Sequence, residues 1–359
     1  MSSDGLRKRR PAPIHDGVGP ELVVSDDDDV TPAASSHGAD DGTPTQRLPM
    51  FKKSLLVDMI NRSSETPADR RNFLRGMGLL SAGTVGAGLV GTSLAAPAEA
   101  ADAAPSEVSV LNFALNLEYL EAEFYCFAAY GHGLAEAMAT GTGTMGGVTG
   151  GHRVPFKSKA MRYYAEEIAN DEIAHVKFLR SALGAGAVSR PAIDLQSSFT
   201  GAAVAAGVIE QGQTFDPFSS EEFFLLGAFL FEDVGVTAYK GAAPLITNKT
   251  YLEAAAGILA VEAYHSGIVR TLLYQNGLAA PTNLISAARD SLDGSAASKD
   301  QGITTGASGR ANLVAADKDA IAFSRTPQEV LNIVYLTAGA GVSKGGFYPN
   351  GLNGEIKTS

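Results

Sequence analysis

Apolar residues recur at steps of three and four from Ser106 onward, with Val108, Leu111, Leu115, Tyr119 and Ala122 along one stripe. That spacing predicts a helix running through Tyr130 to a stop at Gly131. A Gly- and Thr-rich loop follows to about Pro155, and a second helix is predicted over about 158–183, closed by a glycine C-cap at Gly184. The irregular stretch up to Pro217 is too long for a hairpin and suits a crossover between the two ends of a bundle. Ser219 and Glu222 have capping-box spacing and open a third helix of about 220–245, while Asn248 caps a fourth that stops near Asn276 and Gly277. Beyond Pro281 the pattern shortens to a helix near 284–292, a Gly/Ser/Thr-rich loop, and a helix near 327–336. The last of these starts at the capping box Thr326-Pro327-Gln328-Glu329. The Gly-rich tail after Gly339 is expected to be ordered only where Phe347 and Tyr348 pack. The predicted class is all-α: a four-helix bundle over 106–277 with a long crossover between helices two and three, followed by a C-terminal extension over 278–359.

Residues 1–69 carry no sustained apolar period, contain the run Asp26-Asp27-Asp28-Asp29, and have the composition of a disordered extension. Met50 offers an alternative translation start. Asp69-Arg70-Arg71-Asn72-Phe73-Leu74-Arg75 resembles a twin-arginine export signal. It is followed by an uncharged Gly/Ala-rich run over 76–97 and by the A-x-A-like site Ala98-Glu99-Ala100. The competing reading of that run as a transmembrane anchor is weakened by its low hydrophobicity. The resemblance implies a signal peptide over 70–100, cleavage after about Ala100, a periplasmic or extracellular product, and no membrane attachment afterwards.

Composition narrows the partners. The formal net charge of -11 over 359 residues leaves no basic face to neutralise phosphates, which excludes a nucleic-acid partner. Cys126 is the one cysteine, so no intrachain disulfide framework exists; it lies between Tyr125 and Phe127, as a buried inert thiol would.

The candidate chemistry is carried by a repeat. Glu172-x-x-His175 and Glu262-x-x-His265 are each followed by an aliphatic (Leu179, Val269), an arginine (Arg180, Arg270) and a leucine (Leu183, Leu273). Residues three apart share a helix face, so each pair reaches one point, and carboxylate plus imidazole suits iron, manganese or zinc. The other two helices carry Glu118 with Tyr125 and Glu232 with Tyr239, seven residues apart and on one face. The metal-ligand candidates are Glu118, Glu172, His175, Glu232, Glu262 and His265, around two metal ions.

Alternatives stay open at several positions: Glu121 in place of Glu118, Asp233 in place of Glu232, and the tyrosines as carboxylate partners or plain core. Glu123 is expected to face solvent, Arg180 and Arg270 to lie on the surface, and His132 and His152 to be solvated. A metal-free cluster would leave at least four carboxylates buried at several kcal/mol each.

Residues 111–125, LNFALNLEYLEAEFY, and 171–180, DEIAHVKFLR, resemble the first two helices of the ferritin-like superfamily. The closer likeness is to exported ferritin-like or desiccation-related proteins. The resemblance implies Glu172 and Glu262 as bridging carboxylates, His175 and His265 as terminal nitrogen ligands, and Glu118 and Glu232 as terminal carboxylates. It further implies two irons, with manganese or zinc as alternatives, and oxidation of Fe(II) or consumption of peroxide or dioxygen under oxidative or desiccation stress. The rival expectation is a protective or structural bundle without turnover. A homo-oligomer fits either; cage-forming storage is opposed by the long loops at 131–156 and 185–218.

Overall fold

A computed structural model describes residues 105–294, 298–306 and 308–359; the extension over 1–69 and the twin-arginine-like segment over 70–100 lie outside them. Four long helices carry the architecture: α1 (Glu107–Tyr130), α3 (Lys159–Leu183), α5 (Glu221–Ala242) and α6 (Lys249–Gln275). The short helices are α2 (Glu136–Ala139), α4 (Ser197–Ala205), α7 (Ala279–Leu292) and α8 (Pro327–Val334). The starts are chemically marked. The side chains of Ser106, Ser158, Ser220 and Asn248 each accept a backbone N–H of the first turn. Thr326 and Glu329 close a complete capping box on α8. At α5 the cap is Ser220, one residue beyond the predicted Ser219.

α1 packs along α3 and α5 along α6. Asn112 bonds the carbonyl of Gly186 (3.0 Å) and Tyr130 that of Glu166 (3.2 Å), so α1 and α3 run antiparallel. Arg270 lies over the Phe229 ring and Ser266 donates to Asp233, so α5 and α6 do the same.

The stripe predicted for α1 understates its burial, because nearly every side chain of this helix is covered. The loop after α1 and the C-terminal tail close the remaining faces. Val154 N donates to Ala128 O (3.0 Å), and Tyr348 OH donates to Asn116 O (2.7 Å). The two long connections are tied together by β1 (Val148–Thr149) and β2 (Ile193–Asp194), which pair in parallel with Val148 opposite Ile193. The crossover also holds α4, which had no cap or long period to announce it. Its Phe199 joins Phe124, Phe231 and Phe347 in an aromatic cluster with centroid spacings of 4.9–5.6 Å. Each such buried ring contributes about 1.5–3 kcal/mol. A second small ladder pairs β3 (Thr304–Thr305) with β4 (Arg310–Ala311) in the extension. Among the described residues no helix is long and apolar enough to cross a membrane.

Candidate metal centre

The four long helices bring the six predicted side chains to the middle of the bundle, all with less than a tenth of their surface exposed. Glu118, Glu172, His175 and Glu262 offer ligand atoms within 4.8 Å of one another, and Glu172, Glu232 and His265 form a second such group. His175 Nδ1 stands 3.2 Å from Glu118 Oε2, 3.4 Å from Glu172 Oε2 and 3.5 Å from Glu262 Oε1. His265 Nδ1 stands 3.1 Å from Glu172 Oε1 and 3.7 Å from Glu232 Oε2. Two donors each about 2.1 Å from one ion lie about 3–3.5 Å apart, so these spacings match a coordination shell. Glu172 sends one oxygen to each group and is the shared carboxylate. Glu262 reaches only the first group, so the two Glu-x-x-His copies are not equivalent in space.

The electrostatics are those of anions gathered without a counter-cation. Burial, then the neighbouring carboxylates Glu121 and Glu172, push the Glu262 carboxyl well above its usual range. Burial likewise raises Glu118 to about 7 and Glu232 to about 8, against the opposing pull of His175 and His265. Burial would lower both histidines, but the charge of Glu118 carries His175 to about 11 and that of Glu232 carries His265 to about 9. At Glu172 burial acts upward and is outweighed by hydrogen bonds and charge from both histidines, which hold it at about 2. Even so, both oxygens of Glu172, both of Glu262, Glu232 Oε2 and His265 Nδ1 lack a hydrogen-bond partner that meets normal geometry. Buried acceptors without donors are costly. A divalent ion at each group would satisfy them, and the mixed carboxylate and imidazole donors suit iron, manganese or zinc.

Residues 106–275 match the model of the ferritin-like domain. A desiccation-related protein, PCC13-62 from Craterostigma plantagineum, is 35% identical over 250 residues, which cover 64% of this chain and 78% of the relative. The chain belongs to the ferritin-like family. Another relative, the ferritin-like catalase Nec2 of Nesocodon mauritianus, is 31% identical over 271 residues, 70% of this chain and 85% of its own length. No solved structure matches significantly.

Around the six side chains, this ferritin-like bundle builds a second layer that follows the repeat. Tyr125 on α1 donates to Glu232 on α5, and Tyr239 on α5 donates to Glu118 on α1. The tyrosines are therefore carboxylate partners, and reciprocal ones. Arg270 donates to Asp233 Oδ2 at 2.7 Å, and its counterpart Arg180 donates to the hydroxyl of Tyr119, which occupies the corresponding place on α1. His265 Nε2 lies 3.1 Å from Asp171 Oδ2, which leaves its Nδ1 lone pair facing inward. At the corresponding position before Glu262 the chain has Val261, so His175 has no such carboxylate.

Two sequence expectations are overturned, and one open alternative is closed. Glu123 is fully buried rather than solvated, paired with Arg190 and accepting from Leu134 N (3.1 Å); the loop after α1 folds over it. Arg270 is buried rather than on the surface. It bonds Asp233 and the carbonyls of Gln301, Gly302 and Asn312 in the extension, a partner no local spacing reveals. Asp233 is held by Arg270 and Arg289 (2.7 and 2.8 Å), which burial alone would oppose and their charges outweigh, keeping its carboxyl low; it is not a substitute for Glu232. Glu121, the alternative to Glu118, belongs to neither donor group yet is buried beside them. His132 and His152 are exposed, as expected, and His152 pairs with Asp216 at 2.9 Å. Cys126 is buried and its thiol is pushed up to about 12, mainly by burial and then by Glu123, so it is inert. A third acidic group, Asp290, Asp293 and Asp300, is already occupied by arginines: Arg325 takes Asp293 through two 2.8 Å bonds, and Arg289 takes Asp300 at 2.5 Å.

Proposed function

We propose that this ferritin-like protein is an exported di-metal carboxylate protein that consumes hydrogen peroxide, 2 H2O2 giving 2 H2O and O2, with iron or manganese as the metal. The carrying observation is the set of buried, unpartnered carboxylate and imidazole atoms converging on two points that share Glu172. The printed name of the catalase relative supports peroxide as substrate. The twin-arginine-like segment supports export, a route that suits a protein whose metals must be loaded before it meets competing ions.

Bound metals would supply the electron pair that two peroxides exchange in turn. The chain supplies the rest. Glu118, His175 and Glu262 would hold one ion, Glu232 and His265 the other, with Glu172 between them. Tyr125 and Tyr239 orient Glu232 and Glu118 by donating to their Oε1 atoms, leaving each Oε2 toward His265 and His175, where it would be free to hold an ion. Asp171 fixes the ring of His265. The aliphatic and aromatic walls of α1 and α5 keep bulk water out, which strengthens each of these electrostatic contacts.

The test is elemental analysis and oxygen-evolution assays on wild type, Glu172→Ala and His265→Ala, with Fe(II) oxidation run alongside. Wild type is expected to carry about two ions and evolve oxygen, and each variant to lose at least about tenfold in rate. Equal rates in wild type and variants would remove the enzymatic reading and leave the second one, a protective bundle with a structural metal site. The desiccation-related relative favours that second reading.

A further inference from the structure

The repeat that organises the centre also fails at a second position, between α1 and α5. Around Glu118 and Glu232, Tyr119 corresponds to Asp233 and Tyr125 to Tyr239, and each corresponding pair makes a corresponding contact. Three residues after each glutamate stand Glu121 in α1 and Gly235 in α5. A Cβ at 235 would overlap Glu262 Oε2 and lie 3.4 Å from Glu121 Oε1. One half of the bundle thus adds a carboxyl beside the centre, and the other half leaves out the side chain that would collide with a centre carboxylate.

Between them lies a cavity of about 20 Å³, walled by Leu117, Leu120, Glu121, Gly235, Tyr239 and, from α8, Ile333. A space of roughly 10–15 Å³ holds one water. Glu121 is 5% exposed and, among the described residues, makes no hydrogen bond and no ion pair. Its neighbours in the wall are apolar apart from Tyr239, whose hydroxyl is already given to Glu118. A buried carboxyl with nothing to bond is a net cost to the fold. A small polar molecule in this cavity would relieve that cost.

We propose that Glu121 and Gly235 form the substrate pocket of the centre. The pocket is a chamber for one molecule of water or peroxide size, in which Glu121 hydrogen-bonds the guest, while the bare backbone at Gly235 gives the Glu262 carboxylate its place behind the pocket wall. Either form of the Glu121 group serves, since a carboxylate accepts from a peroxide O–H and a carboxyl donates to a peroxide oxygen. The proposal rests on the peroxide reading above for the identity of the guest, and on the cavity alone for its size.

The experiment uses the metal-loaded full chain, with Glu121→Leu filling the pocket and Glu121→Ala enlarging it. Metal content, melting temperature, azide binding followed by the absorption spectrum, and rates with hydrogen peroxide and tert-butyl hydroperoxide are measured on each. Both variants should keep wild-type metal content and melt no lower than wild type, because an unpartnered buried carboxyl has been removed. Glu121→Leu should weaken azide at least about tenfold and lower kcat/KM for hydrogen peroxide in step. Glu121→Ala should shift the rate ratio toward tert-butyl hydroperoxide. Wild-type azide affinity and peroxide kinetics in both variants at equal metal content would overturn the pocket, as would a wild type that binds no azide. A wild type that binds azide but does not turn over peroxide would fail the peroxide reading while the azide comparison still decides the pocket.

Discussion

At the scale of single residues the two donor groups differ in what stands behind the histidine of each. Asp171 accepts from His265 Nε2 and sits immediately before the shared Glu172, whereas Val261 precedes Glu262 and offers His175 nothing. A carboxylate behind a ligating imidazole typically accounts for about 10–100-fold in metal affinity. Asp171→Ala is therefore expected to weaken one of the two ions by that factor and leave the other unchanged. Titration with Fe(II) or Mn(II) followed by elemental analysis would show half-loaded protein at intermediate concentrations. Parallel weakening of both ions would contradict the assignment. Helical spacing made both Glu-x-x-His pairs legible and left Glu118 against Glu121, and Glu232 against Asp233, open. The asymmetry between the two glutamates of the Glu-x-x-His pairs was not legible, since it depends on which face of α6 meets α5.

At the scale of elements, the extension is an integral brace of the second hairpin. Arg270 leaves α6 to reach Asp233 on α5 and three carbonyls of the segment over 301–312, and Arg289 of α7 shares Asp233 while stacking 4.4 Å over Phe229. Removing one partner of a buried pair leaves the other charge uncompensated, at about 3–5 kcal/mol. Arg270→Ala should lose that much in denaturant unfolding. Its repeat counterpart Arg180 is partly exposed and bonds a neutral tyrosine hydroxyl and the carbonyl of Thr140 (2.5 Å), so Arg180→Ala should lose only about 1 kcal/mol. Equal losses would argue that the extension does not brace the bundle. Helix starts were readable because Ser, Asn and Thr caps are local chemistry, and α8 appeared where its capping box and proline put it. α4 and the β1–β2 tie were unreadable because they exist only through contacts between two distant loops.

At the scale of the whole molecule, the centre sets how stability depends on pH. In the metal-free fold Glu118 and Glu232 titrate at about 7 and about 8, His265 at about 9 and His175 at about 11. All four lie above their unfolded values, so the folded state binds more protons than the unfolded state through this range, and stability must fall as pH rises. Glu172, held at about 2, acts in the other sense only below its unfolded value of about 4.5, where its contribution is lost. Thermal melts of metal-free protein should therefore drop from about pH 5 to about pH 9. Metal-loaded protein should hold its melting temperature across the same window and lose metal at the acid end, as protons displace the cations. A metal-free protein that gains stability toward alkaline pH would refute the charge balance described for the centre.

Local chemistry written in the chain determined much of this protein: four long helices, their caps, and the spacing that turns a glutamate and a histidine to one face. The repeat turned both Glu-x-x-His pairs, and a glutamate of each partner helix, toward one place before any contact was known, because helical periodicity converts sequence distance directly into direction. Tertiary structure alone decided what lies between the helices. It made Glu172 the shared carboxylate, paired each tyrosine with the opposite helix's glutamate, buried Glu123 and Arg270, and set Glu121 against Gly235 across a small cavity. Each of these depends on segments tens to hundreds of residues apart meeting at ångström precision, and no periodicity within one helix carries that information.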